Sequence, residues 1–447
     1  MPKLFYAVLA NSLVASVTNT FVWFAVTFWV YLETRSVIAT SVMAGVYTVT
    51  VAFSGFLLGS LVDRYPKKVA MMLSSSSSLV MFALAWLAFV LTPPAAFGDV
   101  ASPALWALIF LSLAGAIAGN LRGIALLTLI TVIIPEGQRD RANGLVGSAN
   151  GFAFLVASIL SGLVIGFLGL HWMFAGAILV TLVVVLHLWS LAIPNQKVAP
   201  AEARTQSIDI GGSIRAIRAV PGLFGLIFFK TFNNFLGGVF MALMDPYGLE
   251  LVSVQVWGVL WGFLSLGFIF GGLFVARRGL GENPLRLIFL ANLAMWVICI
   301  FFTIQASIVL LTVGVFIWIC LVPVVEAAEQ TILQRVIPPE RQGRIFGFAQ
   351  SVEQAASPIT AFLIGPIAQL VFIPFMTTGA GVALIGGWFG AGVDRGIALV
   401  FILAGVIGLI VTLLAMQSNA YRVLSAHYMR RPPEEETMRA TTVAGEA

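Results

Sequence analysis

Two stretches, one in each half of the chain, decide the fold: LITVIIPEGQRDRANG at 129–144 and LQRVIPPERQGRIFG at 333–347. Each ends an apolar segment, turns at a Pro-Glu pair, carries arginines and restarts an apolar segment at Arg-x-x-Gly. The copies match from Pro135 and Pro339 onward, with one residue of slippage. Internal duplication of hydrophobic segments is typical of membrane transporters, whose substrate site lies where the repeats face each other. The repeat therefore predicts a carrier and the position of its site.

The composition indicates a membrane protein. Of 447 residues, 60% are hydrophobic and 10% are charged, which is more apolar surface than a soluble core can bury. Cys299 and Cys320 fall in apolar segments, which favours small hydrophobic side chains over a disulfide or a metal site. The N-terminus runs into an apolar segment without a small-residue cleavage signal, so we interpret it as a retained first span.

Twelve segments have the roughly 20 mainly apolar residues of a spanning helix. The predicted spans are 4–32, 37–62, 69–91, 103–133, 143–168, 171–193, 222–244, 252–276, 285–303, 308–337, 344–373 and 395–417. The predicted fold class is all-α integral membrane, with twelve transmembrane helices in two pseudo-symmetric six-helix halves. The predicted domains are an N-terminal half (1–193), a cytoplasmic linker (194–221), a C-terminal half (222–417) and a disordered cytoplasmic tail (418–447).

The basic residues predict the orientation. Lys3, Arg64 and the arginines of the linker fall on one face of the predicted bundle, whereas Arg35 and Arg395 fall on the other. By the positive-inside rule, both termini are cytoplasmic. The net charge is +5, but the basic residues are scattered over short loops beside the spans and form no basic domain, so we expect no nucleic-acid partner.

Five charged residues lie well inside predicted spans, away from the span ends: Arg122 in the fourth, Lys230 in the seventh, Glu326 and Glu329 in the tenth, and Glu353 in the eleventh. A charge at mid-membrane costs about 3 kcal/mol or more, so it normally faces a cavity or a partner. The repeat register aligns Arg122 with Glu326. A second alignment, of the first and seventh spans, pairs Asn11 with Lys230.

Two interpretations of these charges are open. In the structural one, Lys230 forms a salt bridge with Glu326 or Glu353 that only neutralises buried charge. In the functional one, a carboxylate near a cation exchanges a proton as the cavity opens to each side, and Glu326 is the first candidate. Glu326 and Glu329 are three residues apart and share one helical face, so each needs a separate test.

The loop GSLVDRYPKK at 59–68 resembles the signature loop of the major facilitator superfamily, Gly-x-x-x-Asp-Arg-x-Gly-Arg-Arg/Lys. Gly59, Asp63, Arg64 and Lys68 match the pattern, and Pro66 replaces its second glycine. The alternative interpretation is a charged anchor that only fixes topology.

The resemblance implies that Asp63 caps a helix of the other half near Arg344 and helps to lock one state. It also implies that the first, fourth, seventh and tenth spans line a central cavity. We expect the substrate and proton groups to converge there, namely Asn11, Arg122, Lys230, Glu326, Glu329 and Glu353.

Aromatic residues on the same spans are candidates for binding an apolar substrate: Trp23, Phe24, Phe228 and Phe232. Packing or lipid contact is the commoner role of such residues. His171, His187 and His427 are far apart in sequence, so we expect no metal site.

ANGLVGSANG at 142–151 and VIPPERQGRIFGFAQSVEQAASP at 336–358 resemble the macrolide-efflux and siderophore-exporter branch. The Gly-Pro-x-x-Gly-Gly pattern of many exporters is absent at 157–162. The resemblance implies a drug:proton antiporter of the bacterial inner membrane that exports small amphipathic molecules. Its partners are the lipid bilayer, the substrate and protons, and we expect a monomer driven by the proton gradient without a cofactor.

Other functions remain open at this stage. An importer, or a carrier of lysolipid or metabolites, has the same fold. A membrane enzyme needs a clustered nucleophile and base or metal ligands, and the sequence contains neither pattern.

Overall fold

The computed structural model describes the backbone of residues 2–135, 139–193, 220–336 and 339–429. Its description of side chains also leaves out 52–64, 127–128, 131–132, 139–141, 143–144, 276, 334–351 and 427–429. Within these ranges the chain forms twelve long helices: α1 (Lys3–Thr34), α2 (Val37–Arg64), α3 (Lys67–Leu91), α4 (Pro103–Ile133), α5 (Arg139–Phe167), α6 (Gly169–Ser190), α7 (Leu223–Leu251), α8 (Val254–Arg278), α9 (Pro284–Phe301), α10 (Ile308–Val336), α11 (Pro339–Ile367) and α12 (Val393–Gln417).

The prediction of twelve helical spans is confirmed, because each predicted segment overlaps one of these helices. Over the described residues, eleven helices are long and apolar enough to cross a membrane. Val37–Val51 of α2 is a shorter apolar helical segment. Each long apolar run forms a helix because, in lipid, a helix satisfies the hydrogen bonds of all its backbone groups internally. The positions of the apolar runs therefore determine the positions of the helices.

The structure differs from the predicted spans at two places. Helix α7 does not end at Met244 but continues through Pro246 to Leu251. A proline inside a membrane helix is tolerated when neighbouring groups satisfy the backbone that it frees. In the predicted eleventh span, α11 begins at Pro339, and the glycine-rich segment after it contains a further short helix, Ala380–Phe389.

The expectation of a disordered tail is wrong for its first residues, which form the helix Asn419–Met429. Leu424 is buried and Tyr421 half-buried in an apolar cluster with the start of α7 and with α9. Their apolar contacts stabilise a segment whose polar composition had indicated disorder.

Five helix pairs inside the N-terminal half recur in the C-terminal half, whereas α1 packs on α4 more closely than α7 does on α10. In the N-terminal half, α1 contacts α5 and α6, α3 contacts α4 and α6, and α2 contacts α4. Adding six to each label gives contacts that are all present in the C-terminal half. The division into domains stays a prediction, but this equivalence is what a duplicated six-helix unit produces.

The halves meet mainly through two helix pairs, α2 with α11 and α5 with α8, and α7 makes fewer contacts with α1 and α2. At the α5–α8 pair, Gly162 and Gly258 face each other so closely that a Cβ on Gly258 would lie 2.6 Å from the Ser158 carbonyl oxygen. Small residues permit this close approach of helix backbones in lipid.

Among the described residues, three hydrogen bonds join the halves where α1 and α7 end, which we call the far side because the N-terminus lies at the opposite end of α1. Tyr31 Oη and Arg35 Nη1 of the N-terminal half both donate to Glu250 Oε1 of the C-terminal half, at 2.9 and 3.1 Å. The backbone N–H of Val37 donates to Gln369 Oε1 at 3.0 Å. These contacts close the far side of the bundle.

Candidate functional site

A cluster of charged side chains lies inside the C-terminal half. Lys230 Nζ on α7 forms an ion pair with Glu329 Oε2 on α10 at 2.7 Å, and the two side chains are only 13% and 8% exposed. The carboxyl group of Glu353 on α11 lies within hydrogen-bonding range of the Glu329 carboxyl group. Glu353 is also buried, and its Oε1 has no hydrogen-bond partner. We call these three residues the carboxyl-pair cluster.

The structure corrects the expected salt bridge. The direct partner of Lys230 is Glu329, and neither Glu326 nor Glu353 forms an ion pair with it. Glu326 lies one turn before Glu329 on α10, and its side chain is exposed. It is close enough to Lys230 and Glu329 for its charge to interact with both. Glu326 is therefore at the accessible edge of the cluster, and Glu329 occupies its centre.

The charges of the cluster do not balance when all its groups are ionised. Glu329 and Glu353 place two carboxyl groups side by side with one lysine, and Glu326 adds a third carboxyl group nearby. Two carboxylates in contact repel each other unless they share a proton, because neither can donate a hydrogen bond when ionised. The geometry is thus suited to hold one exchangeable proton.

A polar cluster lies inside the N-terminal half. The Arg122 guanidinium on α4 donates to Ser12 Oγ at 3.2 Å, and also to Ser75 Oγ and Asn11 Oδ1. Asn11 in turn donates to the Val184 carbonyl oxygen on α6 at 3.0 Å. Within the described residues the buried arginine is held only by neutral acceptors, so no carboxylate there neutralises its positive charge.

A cavity of about 110 Å³ lies beside Arg122, between α1, α4 and α5. Its polar lining residues are Ser12, Ser16, Arg122 and Asn150. The volume admits a few water molecules or a small polar group. A larger cavity of about 470 Å³ lies between α2 and α4, where its lining is apolar except for Thr50.

The predicted site residues therefore fall into two clusters, one in each half. No hydrogen bond or ion pair within the described side chains joins them. Asn11 accepts a hydrogen bond from Arg122 on α4 and Lys230 pairs with Glu329 on α10, so each of these two aligned residues contacts the equivalent helix of its own half. Asn11 has a further contact with α6.

The aromatic candidates occupy different environments. Phe24 is buried and packs on Phe154 of α5 and Trp261 of α8. Trp23 stacks on Tyr47 at 4.2 Å, and Phe232 is half-buried. Phe228 is 64% exposed and lies about 200° around α7 from Lys230, so it does not share the face that carries the carboxyl-pair cluster.

Comparison with known proteins gives the family. The model of the Major Facilitator Superfamily matches residues 8–361. The chain belongs to the Major Facilitator Superfamily. Macrolide efflux protein A of Streptococcus pyogenes is 23% identical over 383 residues, covering 82% of this chain and 90% of that protein.

Solved structures of the superfamily show the same fold. A bacterial homolog of the human lysosomal transporter Spinster, in an inward-facing and unoccupied conformation, has a TM-score of 0.65 at 15% identity, covering 97% of this chain and all of that one. The nucleoside transporter NupG has a TM-score of 0.68 at 12% identity, covering 94% and 100%. A D-xylose-proton symporter has a TM-score of 0.64 at 13% identity, covering 92% and 96%. The family and the fold are those of transporters.

Most of the superfamily's signature loop lies outside the described side chains, namely Gly59, Asp63, Arg64 and its expected partner Arg344. Their gating role stays a prediction. Lys68 is described, and its Nζ donates to the carbonyl oxygens of Trp189 and Leu191 at 2.8 and 2.6 Å. Lys68 thus stabilises the C-terminal end of α6 in its own half, where the helix dipole favours a cation.

Sequence reasoning missed one half-buried acid inside a spanning helix. Asp245 on α7 accepts hydrogen bonds from the indoles of Trp257 and Trp261 on α8, at 3.0 and 2.8 Å. The predicted seventh span ended at Met244, one residue before Asp245 and Pro246. Recognising that α7 continues through Pro246 would have placed Asp245 among the intramembrane charges. Among described residues, no group of three His, Cys, Asp or Glu side chains could hold a metal ion.

Proposed function

We propose that this transporter exports small amphipathic molecules in exchange for protons, by alternating access between its two halves. The observation that carries the proposal is the contact of the Glu353 and Glu329 carboxyl groups beside Lys230. A buried site with an excess of carboxyl groups over cations binds a proton readily and releases it when its surroundings change.

The cluster is placed to affect the interface between the halves. Glu353 is on α11, which packs on α2 of the other half, with Gly45 of α2 close against Phe362 of α11. Loss of the shared proton leaves two carboxylates on α10 and α11 facing each other. Their repulsion favours a rearrangement of α11 against α10, and α11 transmits that rearrangement to α2.

The direction of transport is supported by the similarity to macrolide efflux protein A, and the positive charge of the loops supports the orientation of the chain in the membrane. With both termini in the cytoplasm of a bacterial cell, the far side faces outward, and the closed far side described above belongs to a state closed to the exterior. The apolar cavity between α2 and α4 has the volume of a small-molecule pocket, which supports an amphipathic substrate. One chain supplies both halves, so we expect a monomer to be the transporting unit.

The ion pair changes which carboxylate we assign to the proton. Glu326 was the first candidate from sequence, but its exposed position suits contact with water or substrate. Glu353 and Glu329 are buried and in contact, so we assign the exchangeable proton to this pair.

Transport by purified protein in liposomes tests the assignment. Uptake of a radiolabelled macrolide into inverted proteoliposomes is measured with a proton gradient, and separately as exchange of labelled for unlabelled macrolide without a gradient. Glu353→Gln is expected to lose the gradient-driven accumulation and to keep the exchange, because a permanently neutral group binds substrate but carries no proton. Glu282→Gln, in an exposed loop, is the matched control and is expected to retain both.

Three outcomes contradict the proposal. Gradient-driven accumulation that persists in Glu353→Gln and Glu329→Gln removes the proton from this pair. Its loss in Glu326→Gln alone returns the proton to Glu326. Accumulation in the direction of the proton gradient, rather than against it, indicates an importer.

A further inference from the structure

Asp245 lies on the face of α7 that carries Lys230. The spacing of Lys230, Asn234, Gly237, Met241 and Asp245 places all five within about 80° of one another around the helix. Met241 is 39% exposed, and nothing lies within 4 Å of the Cβ position of Gly237. This face therefore borders open space, with Lys230 near one end and Asp245 near the far side.

The carboxylate of Asp245 has donors on one oxygen only. Both indole N–H groups, of Trp257 and Trp261, donate to Oδ1. Within the described residues, Oδ2 accepts no hydrogen bond and Asp245 belongs to none of the ion pairs, which join Arg35 to Glu250, Lys230 to Glu329 and Arg395 to Asp394. A half-buried carboxylate without a cation is costly, and the two indole bonds offset only part of that cost.

The surroundings of Asp245 suit a cation. The ring of Trp261 lies 5.8 Å from that of Trp257, 6.1 Å from that of Phe24 and 6.3 Å from that of Phe154, measured between centroids. Aromatic faces carry negative partial charge, so they attract cations and add to the field of the carboxylate. Trp261 belongs to the C-terminal half, and Phe24 and Phe154 belong to the N-terminal half. The site thus lies between the halves, where a transporter binds its substrate.

We propose that Asp245, Trp257 and Trp261 form a subsite for the positively charged group of an amphipathic substrate, such as a protonated amine or a quaternary ammonium. The carboxylate Oδ2 pairs with the cation, and the half-buried rings of Trp261 and Phe154 contact its apolar substituents. Trp257 is buried and positions the carboxylate through its hydrogen bond to Oδ1. This inference rests on the proposed function, because it names the substrate class of the same transporter.

Equilibrium dialysis of the full-length protein in lipid nanodiscs tests the subsite. The probe is radiolabelled tetraphenylphosphonium, a permanent lipophilic cation, at one pH, with binding to empty nanodiscs subtracted. The neutral comparison is radiolabelled triphenylphosphine oxide, which carries similar aryl groups without charge. Asp245→Asn removes the charge, but its amide oxygen remains able to accept both indole hydrogen bonds, so the variant is expected to fold.

Asp245→Asn is expected to weaken binding of the cation about tenfold or more, the effect of a close charge pair, without changing binding of the neutral compound. Asp99→Asn, the same substitution in an exposed loop, is expected to leave both unchanged. Trp261→Phe provides a second variant, with an expected loss of about threefold for the cation. Unchanged cation binding in Asp245→Asn and Trp261→Phe overturns the proposal, and so does a wild-type protein that does not bind the cation.

This result is separable from the proton assignment. If proton coupling fails, macrolide exchanges without a gradient effect and the dialysis result is unaffected. If the proposed subsite is wrong, proton-driven accumulation of macrolide persists, and the wild type and Asp245→Asn bind the cation equally. Asp245 is then a structural partner of the two indoles, with a proton on Oδ2.

Discussion

The contact between α5 and α8 gives the sharpest prediction about alternating access. A Cβ added at Gly258 would lie 2.6 Å from the Ser158 carbonyl oxygen and 2.8 Å from Gly162 Cα. Both neighbours are backbone atoms, which cannot rotate away as a side chain can. Because atoms of this kind pack best at about 3.5 Å or more, Gly258→Ala forces the two helices apart by roughly 1 Å.

The expected cost falls on the state in which the far side is closed. Overpacking of this kind typically costs about 1–3 kcal/mol, and α5 and α8 belong to different halves, so separating them on the far side relieves the cost. A differential free energy of that size shifts a two-state equilibrium by about 5- to 150-fold. We therefore expect Gly258→Ala to populate the state that is open on the far side.

Distances between spin labels measure this shift. Labels at Ala95→Cys and Gln305→Cys, in exposed far-side loops of the two halves, report their separation in protein whose Cys299 and Cys320 are replaced. Gly272→Ala is the matched control on the same helix, because nothing lies within 4 Å of its Cβ position. The reasoning is refuted if Gly258→Ala and Gly272→Ala give the same distance distribution.

Three further predictions concern individual contacts. Glu250→Gln removes the ion pair with Arg35, which is worth about 1 kcal/mol or less because it is partly exposed. With the same pair of spin labels, we expect a several-fold smaller shift toward the open state than Gly258→Ala gives, and a larger shift would contradict this estimate. Arg122→Lys loses the guanidinium hydrogen bonds to Asn11, Ser12 and Ser75, and hydrogen bonds of charged groups are worth about 1.5–3 kcal/mol each. The variant is expected to unfold at a lower temperature in detergent, and an unchanged unfolding temperature would show that the polar cluster contributes little to stability. Asp63→Asn is expected to reach the membrane in normal amounts but to slow macrolide transport, and normal turnover in vesicles would remove its gating role.

The number and positions of the spanning helices were predictable because length and hydropathy alone determine them. A segment such as 103–133 has no polar interruption strong enough to end it, and α4 has the predicted bounds. Helix α7 shows the limit of this reasoning. An Asp-Pro pair in a sequence usually marks a turn, yet α7 continues through Pro246. Asp245 accepts hydrogen bonds from Trp257 and Trp261 at this point, and the sequence alone does not reveal these contacts.

The members of the candidate site were easier to predict than their partners. Charges inside apolar spans identify Arg122, Lys230, Glu329 and Glu353 from sequence, since each needs a partner in the membrane. Which partner each one has depends on helix rotation and tilt. One helical turn separates Glu326 from Glu329 on α10, and the rotation of α10 about its own axis makes Glu329 the partner of Lys230. The interhalf contact of Tyr31 and Arg35 with Glu250 also lacks a local signal in the sequence.

The central claim is that substrate and protons move in opposite directions through a site that contains the Glu353–Glu329 pair. The most direct measurement uses liposomes that hold purified protein and a pH-sensitive dye, with a macrolide added on one side and no imposed pH gradient. The account predicts that macrolide entry drives protons out of the lumen in the wild type and not in Glu353→Gln. Macrolide entry without any change of luminal pH in the wild type would contradict it.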